Sequence, residues 1–139
     1  MRNALLVTAF AALAACTPSD SISRDTQPYA GIAKDETLTL LGTEPFWNIE
    51  ISGSSADYSS PEMPDGTPFE VERFAGNNGL GYSGELSGRA MQIAITPGEC
   101  SDGMSDRYYP FTATVTWGDD TLYGCGFTNN QRFTGDEAP

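Results

Sequence analysis

The chain contains no histidine and a single lysine, Lys34. Without an imidazole there is no Ser-His-Asp triad, no Cys-His pair and no histidine metal ligand. Arginine and lysine together number seven against nineteen acidic residues, for a formal charge of −12. That balance excludes a nucleic-acid partner, because phosphate contacts need a basic surface. It also excludes charge-driven adhesion to anionic lipid heads. The three cysteines form no C-x-x-C pair, so thioredoxin-like redox chemistry and zinc-ribbon binding have no support. No apolar run approaches the ~20 residues that a membrane-spanning helix needs, and no amphipathic helix longer than a turn or two is apparent. Nothing in the composition requires a cofactor.

What is present begins at the N-terminus. Arg2 precedes an apolar run, Ala4 to Leu13, broken only by Thr8, and Leu13-Ala14-Ala15-Cys16 follows. Charge, short apolar run and small residues in that order are the features of a cleaved secretory signal. The L-A-A-C string resembles the lipobox of bacterial lipoproteins. The resemblance implies cleavage before Cys16, a diacylglycerol on its thiol and acylation of the new amino group. Two or more acyl chains give a durable anchor where one gives only marginal binding. Thr17 follows the cysteine where an aspartate would favour inner-membrane retention. The expected location is therefore the cell envelope, lipid-anchored at the outer membrane and facing the periplasm. Arg2 is the only charge in residues 1–15, so its removal takes the net charge from −12 to −13.

Residues 16–36 comprise the lipidated cysteine and a segment rich in Ser, Thr, Asp and Pro, expected to be a flexible tether. Fully extended, such a segment reaches about 65–70 Å. Residues 37–134 form the expected folded domain, and 135–139 a disordered tail. Within the domain the hydrophobic period is two. Alternating runs occupy 37–41, 46–51, 69–74, 80–86, 91–95, 111–117 and 121–127. Trp47, Ile49 and Ile51 share a face, as do Phe111, Ala113, Val115 and Trp117. Tyr123, Cys125 and Phe127 fall together on one side by the same rule. Asn78-Gly79, Ser87-Gly88 and Gly118-Asp119-Asp120 supply compact turns, giving hairpins 80–86/91–95 and 111–117/121–127. The stretch 52–67 is Ser-, Pro- and Gly-rich and reads as a loop, with at most a short strand at Tyr58. The expected fold class is all-β: a small antiparallel β-barrel, or a sandwich, of about seven to eight strands. A barrel is favoured because it removes exposed edges.

Once Cys16 is lipidated, Cys100 and Cys125 remain. In an oxidising compartment a Cys100–Cys125 disulfide is expected, with two buried thiols as the alternative. The segment 97–110 is polar, glycine-bearing and set between two strong strands. Asp102, Ser105 and Asp106 place oxygen atoms close together there, but the D-x-D-x-D-G spacing and distal glutamate of a calcium loop are missing. Asp102 and Asp106 are thus weak metal candidates. The simpler reading has them capping a turn, with Arg107 paired to one of them and Met104 plugging the core. A second cluster, Gly42-Thr43-Glu44-Pro45-Phe46-Trp47, opens a strand. It reads either as a strand start with a core tryptophan or as a ligand site with Trp47 as apolar wall and Glu44 as polar contact.

G-T-E-P-F-W at 42–47, C-S-D-G-M-S-D-R-x-Y-P at 100–110 and L-x-G-C at 122–125 resemble an uncharacterised family of bacterial envelope proteins. Its members are often lipoproteins, some of them joined to META (HslJ-type) or lysozyme-inhibitor-type domains. The resemblance implies a secreted or outer-membrane β domain without an assigned activity. The order of lipobox, small barrel and one disulfide is also similar to the membrane-bound (MliC-like) inhibitors of c-type lysozyme. The candidate ligand-binding residues are Glu44, Trp47, Asp102, Met104, Asp106, Arg107 and Tyr109. The expected function is a non-catalytic binding or structural module, its partners the membrane through the lipid and a small envelope ligand. The alternatives are an inhibitor of a basic protein such as lysozyme, a calcium-binding module, and a glycan hydrolase using two carboxylates.

Overall fold

In a computed structural model of the protein, residues 27–136 are described. The expected signal peptide and Cys16 lie outside them. Eight strands run in chain order: β1 (Leu38–Thr43), β2 (Phe46–Ser52), β3 (Ser55–Ser60), β4 (Met63–Ala75), β5 (Leu80–Leu86), β6 (Arg89–Ser101), β7 (Tyr108–Trp117) and β8 (Asp120–Thr128). Each pairs antiparallel with the next, and β8 closes on β1 through Leu38↔Thr128 to Leu41↔Cys125. The fold is a closed antiparallel barrel, with no edge strand among the described residues.

Period-two alternation fills the interior. Leu38, Leu40, Ile49, Ile51, Met91, Ile95, Phe111 and Val115 are all at most 2% exposed. Their sequence neighbours point outward, as the pleat requires. The β5–β6 hairpin has the expected register, Leu80↔Ile95 to Leu86↔Arg89. It turns at Ser87-Gly88, both with positive φ (53° and 73°). That sign at both central positions matches the twist of two-residue hairpin turns. Trp117 packs against the core, with its Nε1–H donating to Leu86 O at 3.0 Å and its ring 5.2 Å from that of Tyr58.

Two expectations about the chain are corrected. The stretch 52–67 is largely strand: β3 pairs with β2 over Asn48↔Ser59 to Ser52↔Ser55, and β4 starts at Met63. Its fully buried residues are only Ala56 and Tyr58, too few among serines to produce a visible period. Second, the tether does not extend to residue 36. Ile32 is 2% exposed and joins the core, Tyr29 N donates to Gly76 O (2.7 Å), and Arg73 Nη2 donates to Ile32 O (2.7 Å). The Glu36 carboxylate accepts hydrogen bonds from the Thr128 hydroxyl and from Ala33 N, which lower its pKa. Residues 29–36 therefore belong to the folded unit and cover the barrel end where β8 finishes and β1 starts.

In β8 Tyr123, Cys125 and Phe127 share one face, as the alternation predicts, and that face is the outer one; Tyr123 is 72% exposed. Gly124, Gly126 and Thr128 line the inside instead. A Cβ at Gly126 would lie 2.7 Å from Leu40 Cδ2, and one at Gly124 would lie 2.8 Å from Trp47 Cζ2. Large side chains from β1 and β2 already occupy that volume, and a packed interior has no room for a second set.

Candidate functional site

Regular β6–β7 pairing reaches Pro97↔Phe111, slips, and resumes at Cys100↔Tyr109 and Ser101↔Tyr108. Beyond the slip the hairpin tip folds back over the outside of the barrel. The Cys100–Cys125 disulfide, with Cα atoms 5.6 Å apart, fixes the fold-back to the outer face of β8. Cys125 is 1% exposed because the tip covers it. Thr43 Oγ1 donates to Asp102 O at 2.9 Å, joining the tip to the end of β1 across 59 residues of sequence. On its far side the tip meets the C-terminal segment. Tyr108 and Thr134 form a bridge, and Tyr109 packs against Phe127 and Phe133 with centroids at 6.0 and 5.5 Å.

Asp102 organises the tip. Its Oδ1 accepts from Met104 N (2.9 Å) and Ser105 N (2.8 Å), and its Oδ2 from Ser105 Oγ (2.7 Å) and Tyr109 OH (3.2 Å). Burial pushes this carboxyl up, but the donors on Ser105, Met104 and Tyr109 outweigh burial and hold it at about 2. Burial also raises the pKa of Tyr109. The arrangement is the expected Asx-type turn.

Between this tip and the barrel wall lies a cavity of about 480 Å³. The tip contributes Asp102, Arg107 and Tyr109. The β1–β2 hairpin contributes Leu41, Gly42, Thr43, Phe46, Trp47 and Asn48. The end of β3 and start of β4 contribute Ser59, Ser60, Pro61 and Pro64. A smaller space of about 230 Å³ adjoins it, sharing Leu41, Gly42, Thr43 and Asp102 and bounded by the disulfide and Tyr123. The indole of Trp47 is 3% exposed and lies over Gly42 and Gly124; its Nε1–H has no hydrogen-bond partner among the described residues. Gly42 and Gly124 thus both serve one ring: a Cβ on Gly42 would sit 2.0 Å from Trp47 Nε1.

Of the candidate residues, Trp47, Asp102, Arg107 and Tyr109 meet at the cavity. Glu44 is exposed in the β1–β2 turn and does not line it. Met104 does not plug the core: it is 61% exposed, because Asp102 closes the turn beneath it through backbone groups. Asp106 is exposed as well. Sequence reasoning missed Phe46, Asn48, Ser59, Ser60, Pro61 and Pro64. Asn48 and Ser59 are cross-strand partners, but the pairing is invisible when 52–67 is read as loop.

The geometry bears on the chemistry. Both Asp102 oxygens are engaged by protein donors, and among the described residues no group of three or more acidic, Cys or His side chains is arranged to hold a metal. A carboxyl with a pKa near 2 is ionised throughout the neutral range, which suits an organising acceptor and not a general acid. No protein-family model matches the chain, and neither does any curated protein or solved structure.

Proposed function

We propose that this protein is a non-catalytic binding module of the bacterial cell envelope, anchored through Cys16, whose working site is the cavity between the β6–β7 tip and the wall of β1–β4. One observation carries the reading. The two clusters singled out in the sequence, 42–47 and 100–110, converge on a single cavity instead of packing solidly against each other. Its size lies in the range of small-molecule sites, and its wall of apolar and aromatic residues with a few polar groups has their usual make-up. A disulfide holds one wall in place, which reduces the ordering cost of binding. The resemblance to envelope lipoproteins and the Leu13-Ala14-Ala15-Cys16 string support the location.

The test is ligand-observed binding to the purified protein, followed through Trp47 in a Trp117→Phe variant so that one indole reports. Saturable changes in its emission with small amphipathic compounds are expected. A flat response across a chemically diverse set would argue against a small-ligand site. The charge of −12 favours one further reading, capture of a basic protein such as c-type lysozyme. Absence of binding at low ionic strength would end it, since charge attraction is strongest there.

A further inference from the structure

A second pocket lies apart from the cavity described above and shares none of its lining. It has a volume of about 260 Å³ and is lined by Lys34, Gly53, Ser54, Val71 and Arg73. Two cationic side chains thus share one small space, and no acidic residue lines it. The chain has seven basic residues against nineteen acidic ones, and Lys34 is its single lysine. Arg89 shows what that excess does to a cation: it pairs with Asp120 at 2.8 Å. Among the described residues neither Lys34 nor Arg73 forms such a pair.

The pleat brings Arg73 to this place. Phe69, Val71 and Arg73 take the inward positions near the end of β4, and Glu70 and Glu72 the outward ones. At the barrel end the guanidinium meets the N-terminal segment, where Nη2 donates to Ile32 O at 2.7 Å. That bond uses one of five N–H donors. Nε–H is buried and has no hydrogen-bond partner among the described residues. Lys34 is exposed and comes from the same segment, two residues after Ile32. A half-buried guanidinium without a counter-charge carries an uncompensated desolvation cost, which an anion beside it offsets. An arginine fork and a lysine point charge are the two cationic groups suited to phosphate. We propose that this pocket binds a phosphate group, held between Arg73 of β4 and Lys34 of the segment that covers the barrel end. Two cations without a carboxylate match the nearly two negative charges of inorganic phosphate or a small monoester better than the single charge of a diester.

The test is a chemical-shift titration of the purified protein near neutral pH, with sodium chloride holding the ionic strength constant. The probes are inorganic phosphate, glycerol 3-phosphate, acetate, and dihexanoylphosphatidylglycerol below its micelle concentration. Phosphate and glycerol 3-phosphate should give saturable shifts at the Arg73 Nε–H and at the amides of residues 33–36 and 53–54. Both should bind roughly tenfold or more tighter than acetate. Arg73→Gln should abolish the saturable amide shifts. Lys34→Gln should weaken binding roughly threefold or more, and Lys34→Arg should retain it. Lys34 is exposed, so its variants keep the test open even where Arg73→Gln disturbs the fold. A diester that binds as tightly as the monoester, with the same response to the variants, upholds the site and makes a lipid headgroup its source. Acetate binding as tight as that of phosphate overturns the phosphate assignment. Shifts that grow without saturation and evenly over the protein, as general salt effects do, overturn the site. So does an affinity unchanged by both Lys34→Gln and Arg73→Gln. None of these outcomes bears on the cavity at the β6–β7 tip, which holds none of these residues.

Discussion

The packing of Trp47 gives a prediction with an internal control. An alanine at position 42 would place its Cβ 2.0, 2.5 and 2.7 Å from Nε1, Cε2 and Cδ1 of Trp47, its three nearest atoms. The indole cannot step aside: it is 3% exposed, and a Cβ at Gly124 would be only 2.8 Å from its Cζ2. Overpacking of this kind costs about 1–3 kcal/mol, and a ring enclosed on two sides belongs at the upper end. In a Trp47→Leu background the obstruction is gone. There Gly42→Ala should be neutral or stabilising by roughly 0.5 kcal/mol, because alanine restricts the unfolded chain. The double-mutant cycle should thus return a coupling of about 2–3 kcal/mol. With a urea m-value of about 1–3 kcal/mol/M, this is a midpoint shift of about 0.7–3 M. Far-UV circular dichroism is the appropriate signal, since half the cycle lacks Trp47. The control is Gly124→Ala, whose Cβ would lie 2.0 Å from the Leu41 carbonyl oxygen. That is backbone of the β1–β8 ladder, so Trp47→Leu should not rescue it. Equal cost of Gly42→Ala in both backgrounds would refute the argument.

Further predictions concern the tip, the N-terminal segment and the anchor. Replacing Cys100 and Cys125 together by alanine removes a cross-link spanning 25 residues and should cost roughly 3–4 kcal/mol in equilibrium unfolding. Limited proteolysis of that variant should cut within 102–107. The Asp102 carboxyl is lowered in the folded state from 3.8 to about 2, so its contribution is fully present above about pH 4 and is lost as pH falls through 2. Wild type and Asp102→Asn should differ by about 1–2 kcal/mol at pH 6. The melting temperatures should converge below pH 2, and a constant gap would contradict the linkage. Ile32→Ala should destabilise by about 2–4 kcal/mol, as a core residue does; a loss under about 0.5 kcal/mol would return this segment to the status of a tether. Cys16→Ser should abolish palmitate labelling and release the protein from membranes, and retention in the membrane fraction would count against the anchor.

The fold was legible where inward residues recur often enough to show a period. Phe111, Ala113, Val115 and Trp117 alternate with threonines, and β7 with its partner β8 is found where the sequence places a hairpin. In β3 only Ala56 and Tyr58 point inward, and their neighbours are the serines and aspartate that elsewhere make loops. Ile32 is a more severe case. A single apolar residue in a polar stretch has no period at all, and the segment that carries it is held by hydrogen bonds to Gly76, Arg73 and Gln131, which are distant in sequence. Contacts of that range are decided by closure of the barrel and leave no local signature.

The site was legible as two unusual clusters, but their meeting depended on the phase of one strand. Alternation divides β8 into two faces without saying which is inside, and packing puts Gly124, Gly126 and Thr128 there. The consequence reaches beyond that strand. A disulfide to an inward Cys125 would draw the 97–110 segment into the barrel, where Met104 could serve as core. A disulfide to an outward Cys125 draws the same segment across the outer wall, toward Thr43 and the face of Trp47's hairpin, and leaves Met104 in solvent. The glycines at 42, 124 and 126 decide between the two: β8, which alternates glycine with large residues, turns its glycines inward, toward the volume that the Trp47 ring and Leu40 already fill. With that phase applied to Leu122-Tyr123-Gly124-Cys125, the position of the cavity follows from the cysteine pair.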